Sequence, residues 1–144
     1  ASSSSEAKAV SYANTQRIGN DNIGYVNVPK DWIRSTKNEK LFEYDSNDED
    51  ILVILQSFAK SDVHPQDQHA FGVKLIATQW SMVGGEKAYV LKSHKKDGGY
   101  IFDWFFQKGE KVYVIGLEGT EQDIKTFRPM LEQSWGLDPN TPGK

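Results

Sequence analysis

The stretch that decides the fold is GEKAYVLKSHKKDGGYIFDWFFQKGEKVYVIGLEGTEQDIKTFRPMLEQSW, residues 85–135. It reads as three strands, two tight turns and one amphipathic helix. The strands are Lys87–His94, Tyr100–Phe106 and Lys111–Leu117. Gly98-Gly99 and Gly109 fall in the two turns, where glycine supplies the positive φ that a tight hairpin requires. In the second strand Tyr100, Phe102, Trp104 and Phe106 share one face, and Ile101, Asp103 and Phe105 share the other. In the third, Tyr113, Ile115 and Leu117 oppose Val112 and Val114. A sheet apolar on both sides has to be covered on both. The helix begins after Thr120, whose hydroxyl can cap the amide of Asp123 in a T-x-x-D variant of the capping box. Ile124, Phe127, Leu131 and Trp135 then form one apolar stripe. Pro129 lies inside this helix and is expected to kink it or end its first half. Gly136 stops it.

Upstream, Ile23–Val28 reads as a strand stopped by Pro29, which cannot donate to a ladder. Trp32 follows in a turn and is expected to fold back onto the core. Lys40–Asp45 and the apolar Ile51–Phe58 read as two further strands, joined by the turn formers Ser46-Asn47-Asp48-Glu49-Asp50. From Pro65 to Met82 the spacing changes. Phe71, Leu75 and Met82 fall on one helical stripe with Gly72, Ile76 and Val83 beside it, which predicts a helix of about four turns stopped by Gly84-Gly85. The expected order is βββα-βββα: an α+β fold, an α/β/α sandwich around a mainly antiparallel six-stranded sheet. Residues 1–20 are expected to be a flexible Ser-rich leader, 21–137 a single domain, and 138–144 a flexible tail.

The 144 residues suit one domain, large enough to bury roughly 70% of its unfolded surface. A net charge of −3, with both signs scattered, gives no basic stripe for nucleic acid. No apolar run approaches the ~18 residues of a membrane helix. The absence of cysteine excludes disulfides, thiol nucleophiles and cysteine-ligated metals. Ala1–Ala9 is small, polar and of low complexity, and the chain starts without Met. These features give the expectation of an exported bacterial protein whose signal peptide has been removed, with a lipid anchor upstream as one form of that expectation.

Gly24-Tyr25-Val26-Asn27-Val28-Pro29-Lys30-Asp31-Trp32 resembles the G-[YF]-x-[IVF]-x-[IVY]-P-x-x-W opening of PsbP-like domains. That family includes the photosystem II extrinsic protein, a Ran-binding nuclear import factor and small bacterial envelope proteins. The strand with Ala88-Tyr89, the aromatic hairpin, Val112-Tyr113-Val114-Ile115 and a helix bearing Phe127, Leu131, Ser134 and Trp135 resemble the family's later motifs. The resemblance spans about residues 23–136. It implies the fold and a non-catalytic binding or assembly role, not a reaction. The plant proteins' basic extension has no counterpart in the Ser-rich leader, and no Ran-binding motif matches.

Candidate chemistry is sparse. Asp62, His64, Asp67 and His69 fall within eight residues and have the donor types of a zinc or other divalent site, so a metal-assisted hydrolase or metal-binding protein is the alternative reading. Acidic residues near a helix start are also favoured by the macrodipole alone. The Asp45–Asp50 loop lacks the glycine and distal Glu of a calcium loop and reads as a solvated turn. There is no G-x-S-x-G elbow and no phosphate-binding loop. Asp103 is a charge inside the most aromatic strand, so it is paired, exposed or functional. Large aromatics mostly build cores. The residues set apart as a ligand or partner surface are Trp80, Tyr100, Asp103 and Trp104. The expectation is a monomeric binding module of the cell envelope without a cofactor, whose protein or small-molecule partner the sequence does not identify.

Overall fold

The computed structural model describes residues 10–60 and 73–144. The elements are β1 (Thr15–Asn20), β2 (Gly24–Pro29), β3 (Ile33–Arg34), β4 (Phe42–Asp45), β5 (Leu52–Ala59), β6 (Val73–Val83), β7 (Glu86–Lys95), β8 (Tyr100–Lys108), β9 (Lys111–Gly119) and α1 (Glu121–Ser134). Seven strands form one antiparallel sheet in the order β3-β4-β5-β9-β8-β7-β6. β1 and β2 form a separate two-stranded hairpin.

The 85–135 block folds as its pattern dictates. Tight turns pair β7 with β8 and β8 with β9. Thr120 caps α1 reciprocally: its hydroxyl accepts from the Asp123 amide at 3.1 Å, and Asp123 Oδ2 accepts from the Thr120 amide at 2.9 Å. The helix runs through Pro129 as one continuous element rather than ending there. Its stripe buries Ile124, Leu131 and Trp135 against Trp104, Phe106, Tyr113 and Ile115 on the sheet. Trp135 stacks edge-on to Phe106 at 4.7 Å, and Trp32 folds back edge-on to Phe127 at 5.0 Å.

The β1–β2 hairpin is tied to α1 through its backbone and to the large sheet through Lys111, which donates to Asn22 Oδ1 at 2.6 Å. Tyr25 and Gly136 exchange backbone hydrogen bonds at 2.8 and 3.0 Å, and the Asn27 amide donates to Ser134 Oγ at 2.8 Å. Gly24 adopts φ +80°, and a Cβ there would lie 2.5 Å from the Trp135 ring. The two ends of the family-like pattern therefore meet, and only glycine fits at the meeting point.

Four sequence expectations need correction. The sheet has seven strands and a satellite hairpin, not six strands. Thr15–Asn20, expected inside the leader, is β1, held by a full antiparallel register with β2. The tail folds back: the Asp138 amide donates to the Lys144 carbonyl at 2.7 Å and the Gly143 amide to the Ser134 carbonyl at 2.9 Å. Residues 73–82, expected to be helical, are the edge strand β6. The reason is a bulge. Leu75 pairs with Ser93 and Ala77 with Lys92, leaving Ile76 as an extra residue. The bulge inverts side-chain parity, so Leu75 and Met82, seven residues apart, share a face as they would on a helix. Val73, Ile76, Thr78, Trp80 and Val83 are strand formers, and here they decide. Residues 65–72 of the expected helix lie outside the described residues. Among those that are described, α1 is the only helix, so the second helical layer of the expected sandwich is not shown.

Candidate functional site

β6 is the last strand of the sheet, so one row of its backbone groups has no neighbouring strand among the described residues. Every residue from Leu75 to Trp80 is exposed. The register with β7 puts Leu75, Thr78, Trp80 and Met82 on the sheet face opposite α1. Trp80 is 62% exposed, yet its ring is fixed. It rests 5.1 Å from the Tyr89 ring, and Lys87 Nζ lies 4.6 Å from its centroid. Tyr89 in turn packs on a small buried cluster of Leu91, Phe105 and Val114. An aromatic held in place but left in water can meet a partner at little entropic cost.

Carboxylates line the same face. Asp103 stands opposite Leu91 on one side and Gly116 on the other. Burial, then the charge of Glu118, pushes its pKa up to about 7. Gly116 makes room for it, since a Cβ there would lie 3.1 Å from Asp103 Oδ1. On β4, Glu43 is raised to about 7 by the neighbouring Asp45 carboxyl, by burial and by Glu118. Asp45 is buried, and its Oδ1 has no hydrogen-bond partner among the described residues. Glu118 is ion-paired with Lys95 at 2.9 Å. The face thus combines an acidic interior with an apolar, partly aromatic margin.

The four residues expected to form one surface are divided by the sheet. Trp80 and Asp103 lie on the face just described, whereas Tyr100 and Trp104 lie on the α1 side. Trp104 is fully buried, and its indole N–H donates to Glu132 Oε2 at 2.9 Å. Glu132 Oε2 also accepts from Ser81 Oγ at 2.8 Å and from Arg128 Nε at 2.8 Å, so Trp104 is a core residue anchored to α1 and not part of a surface. Tyr100 is half-buried, 4.8 Å from the His94 ring and under Lys92. Asp62, His64, Asp67 and His69 lie outside the described residues. Among those described, no group of three His, Asp or Glu is placed to hold a metal. The Asp45–Asp50 loop is the hairpin turn that its residues predict, with Ser46 Oγ donating to Asp48 Oδ1 at 2.7 Å.

The helical stripe expected for Leu75 and Met82 would bury them, whereas the strand leaves both exposed. The signal that points to it is the strand-forming Val73, Ile76, Thr78, Trp80 and Val83 within residues 73–83. Glu43 and Asp45 could have been flagged together, because acids two apart on a strand share a face.

No protein-family model and no curated protein sequence matches the chain. Solved structures do. Cyanobacterial PsbP (CyanoP) from Synechocystis superposes with a TM-score of 0.58 at 14% identity, covering 89% of this chain and 93% of that one. A protein of Bacteroides thetaiotaomicron superposes with a TM-score of 0.56 at 12% identity, covering 82% of this chain. This chain spans 46% of the Bacteroides protein. The fold is PsbP-like: a mainly antiparallel sheet with a C-terminal helix.

Proposed function

We propose that this chain is a non-catalytic, exported bacterial PsbP-like module that binds a protein partner at the cell envelope, using the β6 edge and the Trp80 face. The observation that carries this reading is a long edge with no neighbouring strand among the described residues. Natural sheets protect their edges with prolines, lysines, inward charges, bulges or short strands. β6 runs from Val73 to Val83 without proline, and beyond Lys74 and the bulge at Ile76 its remaining residues, 77–83, carry no charge. Leu75, Ile76, Trp80 and Met82 are all exposed on it. Such a strand suits β-augmentation, in which backbone hydrogen bonds give affinity and side chains on alternate positions give specificity. The PsbP-like fold is shared with a cyanobacterial and a Bacteroides protein. The Ser-rich run Ser2–Ser5 has the composition of a tether, which supports attachment at the envelope.

The test is photo-crosslinking in the native host with p-benzoylphenylalanine at position 78, with the exposed Lys37 position as control. The reading expects fractionation to place the protein in the envelope, and a discrete adduct from position 78 that disappears when Trp80→Ser and Met82→Ser are combined. Equal adducts from both positions would overturn the contact surface. A cytosolic location would overturn the envelope assignment.

A further inference from the structure

On the other side of the sheet, away from Trp80, α1 does not close completely onto β6 and β7. A cleft of about 320 Å³ remains between them. Its floor is apolar: Phe102 and Ile124 are both buried there, and Ala77 adds a methyl group. Its rim is cationic, with Lys92 from β7 and Lys125 and Arg128 from α1.

The three cations are held differently. Arg128 is a fixed charge. Its Nε donates to Glu132 at 2.8 Å, its Nη2 lies 3.3 Å from Ser81 Oγ, and the Gln79 amide oxygen, turned toward it, accepts at 3.0 Å. Its guanidinium lies 5.1 Å from the Phe102 ring. Lys92 donates to Glu121 Oε1 at 2.7 Å and has donors to spare, because an ammonium carries three. Lys125 forms no ion pair among the described residues. Three cations thus face two carboxylates, Glu121 and Glu132, and one positive charge is unmatched. Glu132 is already committed to Trp104, Ser81 and Arg128. Glu121, on the exposed first turn of the helix, is the carboxylate that an incoming anion can displace from Lys92.

We propose that this cleft binds an amphiphilic monoanion: an aromatic or aliphatic body lying on Phe102 and Ile124, with one carboxylate or sulfonate held by Lys92 and Lys125. Apolar walls with a few convergent polar groups are the general form of a small-molecule site. The single unmatched charge favours a monoanion over a phosphate dianion. The site is independent of the β6 surface, from which the sheet separates it.

Fluorescence titration with 8-anilinonaphthalene-1-sulfonate tests this, with neutral N-phenyl-1-naphthylamine as the uncharged counterpart. Lys92→Gln and Lys125→Gln are each expected to weaken sulfonate binding by about fivefold, the scale of one exposed ion pair. Glu121→Gln strengthens it, and added salt weakens it. Binding of the neutral amine is expected to stay within about twofold throughout. Melting curves of the variants show that each is folded, and amide shifts at Gln79, Lys92 and Ile124 place the probe. Absence of sulfonate binding, equal effects of the lysine variants on both probes, or loss of binding in Trp80→Ala with none in Lys125→Gln would each overturn the proposal.

Discussion

The two faces of the large sheet are built from similar residues and do different things. On the α1 side, Trp104, Phe106, Tyr113 and Ile115 meet Ile124, Leu131 and Trp135, and even the polar Glu132 is committed three times over. On the other side the buried cluster is small, carboxylates replace hydrophobes along β4, β8 and β9, and a tryptophan stands in water at the edge. Strand parity makes both faces apolar in sequence. Among the described residues, the placement of α1 is what distinguishes the two faces.

The sharpest way to break this comparison is to remove one tryptophan from each face. Trp135→Ala leaves a void beside Phe106, Tyr113 and Gly24 and is expected to cost about 3–5 kcal/mol in denaturant unfolding. Asp103→Asn tests the second face by pH. Asp103 and Glu43 titrate near 7 when folded, above their ordinary carboxylate values. The folded protein therefore holds protons that the unfolded chain has released. The contribution of these two groups to stability is greatest below about pH 4, falls as pH rises from about 4 to 7, and levels off above that. Asp103→Asn keeps the neutral form, so it is expected to reduce that fall by on the order of 2 kcal/mol, read as melting temperature between pH 4.5 and 8. Glu43→Gln flattens more of the remainder. Thr120→Ala loosens the cover itself by deleting half of the capping box, at about 1 kcal/mol. The smallest stability effect is expected from Trp80→Ala, within about 0.5 kcal/mol. A loss there comparable to that of Trp135→Ala would mean that the two faces are not distinct.

The sequence made the C-terminal half legible because its signals agree. Gly98 and Gly109 sit in the turns, Thr120 and Asp123 at the cap, and a stripe of period 3.6 follows them. β6 was illegible because one bulge at Ile76 turned a strand's alternation into a helix's spacing. β1 was hidden by polar residues: Gln16 and Arg17 belong to a strand because they donate to the carbonyls of Trp32 and Ser134, which no local pattern reveals. That β2 pairs with β1 and bridges to Gly136 beyond α1 is likewise a tertiary fact. For the candidate site, Asp103 stands out in the sequence as a charge inside an aromatic strand. Trp104 was not distinguishable from a surface aromatic, because parity shows which residues share a face and not which face the helix will cover.

Amide hydrogen exchange resolved along β6 in the isolated protein tests the central claim most directly. If the edge is free, alternate amides between Leu75 and Met82 exchange within about tenfold of an unstructured peptide, while those bonded to β7 are slow. Slow exchange at every one of these amides, matching β8, would show the edge already covered and would contradict the account.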